Sequence, residues 1–168
     1  MAANNSIDLD SDPRVIEGAR LIDAPRKLVF AAFTDPKHLA QWWGPNGFTT
    51  TTHSFEFRPG GVWRFVMHGP DGRDYQNRIT FDETVAPERI VYRHTGGEDV
   101  EPVGFTQTIT FTDVGGKTRL TWRGVFPTTQ DRAHVIKEYG ADKGLVQTMA
   151  RLADYVVEMA SKGTILPT

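Results

Sequence analysis

Hydrophobic and polar positions change their spacing twice along this chain. Residues 1–12 are small and polar, show no period, and predict a flexible N-terminal tail. RVIEGARLID (14–23) predicts a first strand, closed by Ala24-Pro25. In RKLVFAAF the apolar Leu28, Val29, Ala32 and Phe33 recur at helical spacing, and Pro25 suits a helix start because its missing N–H costs nothing there. Asp35 and Pro36 offer the cap and first residue of a second short helix, KHLAQWW, which Gly44-Pro45 ends.

From residue 48 the period becomes two. TTTHSFEFR sets His53, Phe55 and Phe57 on one face, VWRFVMH sets Trp63, Phe65 and Met67, and RDYQNRITFDETV sets Tyr75, Asn77, Ile79 and Phe81. RIVYRHT continues with Ile90, Tyr92 and His94, GFTQTITFT with Phe105, Gln107, Ile109 and Phe111 opposite a row of threonines, and KTRLTWRGVF with Leu120, Trp122 and Phe126. The turns between them are PGG, GPDG, the stretch before Pro87, the Gly/acidic loop GGEDVEP, and Gly115-Gly116. Consecutive strands with short turns predict an antiparallel meander with one apolar face.

Beyond Thr128 the spacing is helical to about Ala160, strongest where Leu145, Met149, Leu152, Val156 and Met159 alternate by four and three. Gly140 and Gly144 each cost roughly 1 kcal/mol inside a helix and predict a break, a late start or a close approach to the sheet. The fold class is therefore α+β: a curved antiparallel sheet gripping one long C-terminal helix, with two short helices after the first strand. It occupies a single domain over residues 13–162, with 163–168 as a C-terminal tail.

The pair Trp42-Trp43 sharpens this picture. Neighbouring helical residues project about 100° apart, so one indole should anchor the core and the other flank an opening. Trp43 is the better inward candidate, because it abuts the bend into the strand of His53 and Phe55.

Composition excludes more than it selects. At 168 residues, 39% hydrophobic and 24% charged, the chain is an ordinary globular domain. A net charge of -2 gives no reason to expect nucleic acid as a partner. The absence of cysteine removes disulfides, thiolate metal sites and cysteine nucleophiles. No apolar run approaches the ~20 residues of a membrane span, and MAANNSIDLDSDP is not a secretory signal, so a cytoplasmic location is expected. Histidines 38, 53, 68, 94 and 134 fall in no HxxxH or HExxH spacing, which argues against a metal site of sequence-local ligands. Gly116-Lys117-Thr118 lacks the earlier glycine of a phosphate loop, since that position is Phe111. There is no G-x-S-x-G elbow. No cofactor is expected.

Several stretches carry a family resemblance. LIDAPRKLVFAAFTDPKHLAQWWGP, FEFRPGGVWRFVMHGPDGRDY, PERIVYRH and GGKTRLTW, in this order from about Arg14 to Ala160, resemble the SRPBCC (START-like) superfamily. Within it they are similar to homologues of the activator of heat-shock protein 90 ATPase. The resemblance implies a helix-grip fold, usually with a cavity between the long helix and the sheet, and roles from hydrophobic-ligand carriage to polyketide cyclisation and chaperone regulation. Eukaryotic activators carry an additional N-terminal domain, for which residues 1–12 are no substitute.

If the sheet is concave, its inward rows converge. The candidate ligand-binding residues are Trp43, His53, Phe55, Trp63, Phe65, Met67, Tyr75, Asn77, Tyr92, His94, Gln107, Trp122, Leu145 and Met149. Aromatic and methionine side chains with a few polar tips suit a small-molecule cavity, typically on the order of 300–1,000 Å³. The same residues could equally fill a core. The leading expectation is a binder of a hydrophobic or aromatic small molecule. The alternatives are a cyclase- or hydrolase-type enzyme with His53 or His94 as general base and Tyr75 or Arg64 polarising a carbonyl, with acidic help from the loop at Glu98–Glu101, and a regulator of a chaperone ATPase acting through the sheet's outer face. A homodimer through an outer strand stays open.

Overall fold

The computed structural model describes residues 5–94 and 104–162. The GGEDVEP loop with Glu98–Glu101 and the tail 163–168 lie outside the described residues. Strands β1 (Asn5–Asp8), β2 (Val15–Ile22), β3 (Thr49–Phe55), β4 (Val62–His68), β5 (Asp74–Val85), β6 (Arg89–His94), β7 (Phe105–Val114) and β8 (Lys117–Val125) make one sheet. Its order is β1-β2-β8-β7-β6-β5-β4-β3, antiparallel at every pairing. Helices α1 (Arg26–Ala31) and α2 (Pro36–Trp42) come after β2, and α3 (Thr129–Tyr139) and α4 (Ala141–Ser161) after β8. The helix-grip arrangement and the β3–β8 meander are thus as the periodicity predicts.

The N-terminal segment differs from expectation. Asn5–Asp8 is an edge strand paired from Asn5↔Arg20 to Asp8↔Glu17, where a loose tail is predicted. Its residues carry no strand signal of their own. The stabilising contacts come from the turn between β1 and β2: the Asp8 carboxylate accepts from the backbone N–H groups of Asp10 and Ser11. The hydrogen bond from the Ser11 hydroxyl, followed by these two, holds the Asp8 pKa below its ordinary value. From α3, Arg132 Nη1 donates to the carbonyls of Leu9, Asp12 and Val15, tying the turn down.

Local capping explains the helix boundaries. The Asp35 side chain accepts from the Lys37 N–H with Pro36 in the first turn, and the Thr128 hydroxyl accepts from the Asp131 N–H at the start of α3. Gly140 breaks the C-terminal helix in two by adopting the left-handed conformation at φ 60°, a geometry favoured by glycine. Gly144 stays inside α4.

Both tryptophans of the pair are buried. Trp42 is fully enclosed, donating from Nε1 to the Ala32 carbonyl and packing edge-on against Phe33. Trp43 turns onto the sheet, but the expectation that the other indole flanks an opening fails, since Trp42 is the more deeply buried of the two. The chain then bends sharply at Gly44, φ 106°, leaving carbonyls that no helix satisfies. Arg151 of α4 supplies the donor: its Nη1 lies 2.9, 3.0 and 3.2 Å from the carbonyl oxygens of Gly44, Pro45 and Phe48. Partial burial lowers its pKa from the ordinary arginine value, without threatening its charge. Arg151→Met is expected to destabilise the protein by about 1.5–3 kcal/mol, the worth of hydrogen bonds to a charged group. Arg151→Lys should recover little, because an ammonium is not a planar fork. Urea unfolding midpoints check both.

Candidate functional site

Alternation on the sheet brings the aromatic residues together under α2 and α4. Trp43 meets Trp63 at 4.8 Å between ring centroids, Trp122 at 5.7 Å, Phe65 at 6.0 Å and Tyr92 at 6.4 Å. Trp63 and Phe65 stack at 3.8 Å. This is a packed core, with a void of only about 10 Å³ beside Trp43, Trp63 and Tyr92. A single water needs roughly 10–15 Å³. The aromatic row thus leaves no room for a ligand.

The larger space is displaced along the sheet. A cavity of about 80 Å³ lies over β2, β7 and β8 and beneath the α3–α4 junction, lined by Ile16, Phe105, Gln107, Phe126, Val135, Ala141 and Leu145. Two glycines set the packing beside it. On β8, Gly124 stands opposite Gln107 of β7 and Ile16 of β2, and a Cβ there would come within 2.9 Å of Gln107 Oε1. On β2, a Cβ at Gly18 would lie 2.6 Å from Met149 and 2.9 Å from Leu145, so α4 rests directly on backbone.

Gln107 is the chemically distinctive residue. The missing side chain at Gly124 lets its amide lie across the neighbouring strand, yet its Oε1 is buried with no hydrogen-bond partner among the described residues. Such an acceptor costs about 1–3 kcal/mol unless something donates to it. His94 ends β6 opposite Phe105 and stacks on that ring at 4.8 Å, and Phe105 in turn packs on Phe126. Burial pushes the His94 pKa down from 6.5 to about 4, so its imidazole is neutral at pH 7 and a weak base.

The other sequence candidates are spread over the sheet. Phe55 is half-buried against Phe57, Trp63 and Phe81. Asn77 is buried and donates to the Tyr75 carbonyl at 2.9 Å. Burial raises the Tyr92 pKa, with the Trp122 indole beside its hydroxyl opposing the shift, although Trp122 Nε1 lacks the geometry of a hydrogen bond. Met67 pairs across from Tyr75 at the far end of the sheet, where Tyr75 meets Phe48 and Tyr139. Met149 is fully buried against Gly18.

His53 requires a correction: it is exposed, on neither the core nor the cavity. Between Thr52 and Ser54 the β3–β4 register shifts, so Thr52 pairs with Phe65 while Phe55 pairs with Trp63. The extra residue at this bulge is His53, and inward parity passes from Thr50 and Thr52 to Phe55 across it. The general-base role weighed for His53 therefore has no place in the covered face.

Alternation puts Phe105 and Phe126 on the inner face, but it does not foresee their part in a cavity with Ile16, Val135 and Ala141. The available signal is Gly124, a missing side chain on the inward parity beside Gln107. Among the described residues no group of three or more His, Cys, Asp or Glu could hold a metal, and no helix is long and apolar enough to cross a membrane.

Comparison with known proteins agrees with this architecture. The family described as Activator of Hsp90 ATPase homolog 1-like protein matches residues 23–157. A protein of Arthrobacter aurescens solved by NMR superposes with a TM-score of 0.82 at 25% identity, over 91% of each chain. A crystal structure from Nitrosomonas europaea gives 0.78 at 23% identity, over 90% of this chain and 99% of that one. The AHSA1 protein of Silicibacter pomeroyi gives 0.69 at 19%, over 88% and 99%. A search of curated proteins returned no sequence match.

The geometry leads to two expected outcomes. Gln107→Met, which keeps length and removes the orphan acceptor, is expected to stabilise the unliganded protein by about 1–3 kcal/mol, read as a higher urea midpoint at unchanged slope. For His94, the folded pKa of about 4 lies below the unfolded 6.5, so the unfolded state takes up the proton first. Its contribution is complete above pH 6.5 and is lost as pH falls towards 4. Urea titrations across that window should show a steeper loss in the wild type than in His94→Phe.

Proposed function

The chain belongs to the Activator of Hsp90 ATPase homolog 1-like family, and from that premise we propose that it binds a small hydrophobic or aromatic molecule carrying a hydrogen-bond donor. The ligand sits between the α3–α4 junction and the β2–β8–β7 part of the sheet. The observation that carries this reading is Gln107 Oε1, buried and unpaired at the edge of the apolar cavity. An N–H or O–H from the ligand completes that acceptor, while Phe105, Phe126 and Leu145 supply apolar burial and a ring face.

At about 80 Å³ the cavity is smaller than the engineered ~150 Å³ cavity that takes benzene, so binding requires the roof to give way. The roof is suited to that. Helix α3 has Val135 as its buried residue, ends at the left-handed Gly140, and reaches across to β5 through the edge-on contact of Tyr139 with Tyr75. A chaperone partner and a homodimer have no such observation behind them.

Native mass spectrometry of gently purified protein, compared with its denatured mass, tests the proposal. The expected result is a non-covalent adduct of a few hundred daltons. Gln107→Met should weaken its binding about tenfold, close to the ~1.4 kcal/mol of one lost hydrogen bond. An adduct indifferent to Gln107→Met, or a clean unliganded mass, would count against the site.

A further inference from the structure

We propose that Thr51, His68 and Asp74 form a second, surface site, which accepts acyl groups from activated esters on the Thr51 hydroxyl. The three residues lie on the outer face of the sheet, away from the face covered by α4, on the consecutive strands β3, β4 and β5. Thr51 comes directly after the buried Thr50 on β3, and His68 ends β4 and pairs with Asp74 at the start of β5. Thr51 Oγ1 lies 2.8 Å from His68 Nε2, and His68 Nδ1 lies 2.7 Å from Asp74 Oδ1.

In the neutral imidazole the partners set the roles. An ionised carboxylate only accepts, so Asp74 holds the proton of the neutral imidazole on Nδ1. Nε2 then presents its lone pair to the threonine hydroxyl, which donates to it. This is the arrangement in which a hydroxyl is activated by an imidazole and the imidazole is oriented by an acid. Cross-strand hydrogen bonds of this sort also occur as plain sheet contacts. Two features argue for more here: the hydroxyl is exposed on an edge strand, open to a small ester, and the histidine is engaged at both ring nitrogens, by a hydroxyl on one side and a carboxylate on the other.

In the reaction, Thr51 Oγ1 attacks the ester carbonyl carbon while its proton passes to His68 Nε2. The C–O bond to the leaving group breaks, and the phenolate departs with the electron pair. His68 releases its proton to solvent. Water then attacks the acyl-threonine with His68 again taking a proton, which returns to Thr51 Oγ1 as the carboxylic acid leaves. Thr51 and His68 are catalytic, and Asp74 is a positioning residue. A secondary hydroxyl on an open surface suits only good leaving groups, so the substrate class is aryl and other activated esters of short acids.

The test uses the full chain with p-nitrophenyl acetate, following phenolate release and mapping the acetyl group by peptide mass spectrometry. The expected result is a burst of release with one acetyl group on the peptide holding Thr51. Thr51→Val should remove the label, and His68→Gln should slow acylation by about 10²-fold or more. Asp74→Asn should lower kcat with KM little changed, and Asp74→Glu should restore part of it. Because all three side chains are on the surface, the variants should melt like the wild type. Acetyl groups only on lysines or other histidines, or acylation of Thr51 at an undiminished rate in His68→Gln, would overturn the proposal.

Discussion

The rest of the molecule is arranged around the enclosure of the rings on the concave face of the sheet. Trp43, Trp63, Phe65, Tyr92 and Trp122 form a continuous cluster that one helix alone does not cover. Helix α2 closes it from the side, and it can do so only because the chain turns at Gly44 directly after Trp43. That turn leaves carbonyl groups pointing away from any ladder. Arg151 binds them from α4, so the helix that seals the sheet also holds the bend that seats the indole. Packing and hydrogen bonding are thereby coupled at one point: α4, the bend and the ring cluster depend on one another.

This coupling bears on where the sheet can be hollow. At the aromatic end, side-chain volume fills the space between layers. At the other end, Gly18 brings α4 down onto β2 while Gly124 gives the Gln107 amide room to lie across β8. The two absent side chains set the packing there: α4 settles onto Gly18, and the Gln107 amide settles over Gly124 with its oxygen at the edge of the cavity.

Much of the fold can be read from the period of the apolar residues. The β4–β8 alternation, the Asp35-Pro36 start and the Gly140 break each express a local rule that tertiary structure does not override. What escapes is non-local. Strand β1 owes its order to Asp8 and to Arg132 of α3, which lies 123 residues beyond the Leu9 carbonyl it binds. The candidate site is legible only in part, since alternation places Gln107 and Leu145 inward but says nothing of whether the space beneath them is filled. His53 is misplaced for a reason alternation contains no trace of: one inserted residue reverses parity, and only the pairing with β4 reveals it.

That same insertion has a consequence for copies of the protein at high concentration. Strand β3 is an outer edge of the sheet, and its sequence, TTTTHSF, holds no lysine, acid or proline to deter another strand. A straight edge of β-branched residues is a template for intermolecular pairing. The bulge at His53 bends that edge and interrupts its row of free N–H and C=O groups, so an incoming strand finds matched partners on only part of the edge. Backbone shape, where other proteins use charge, limits pairing along this edge.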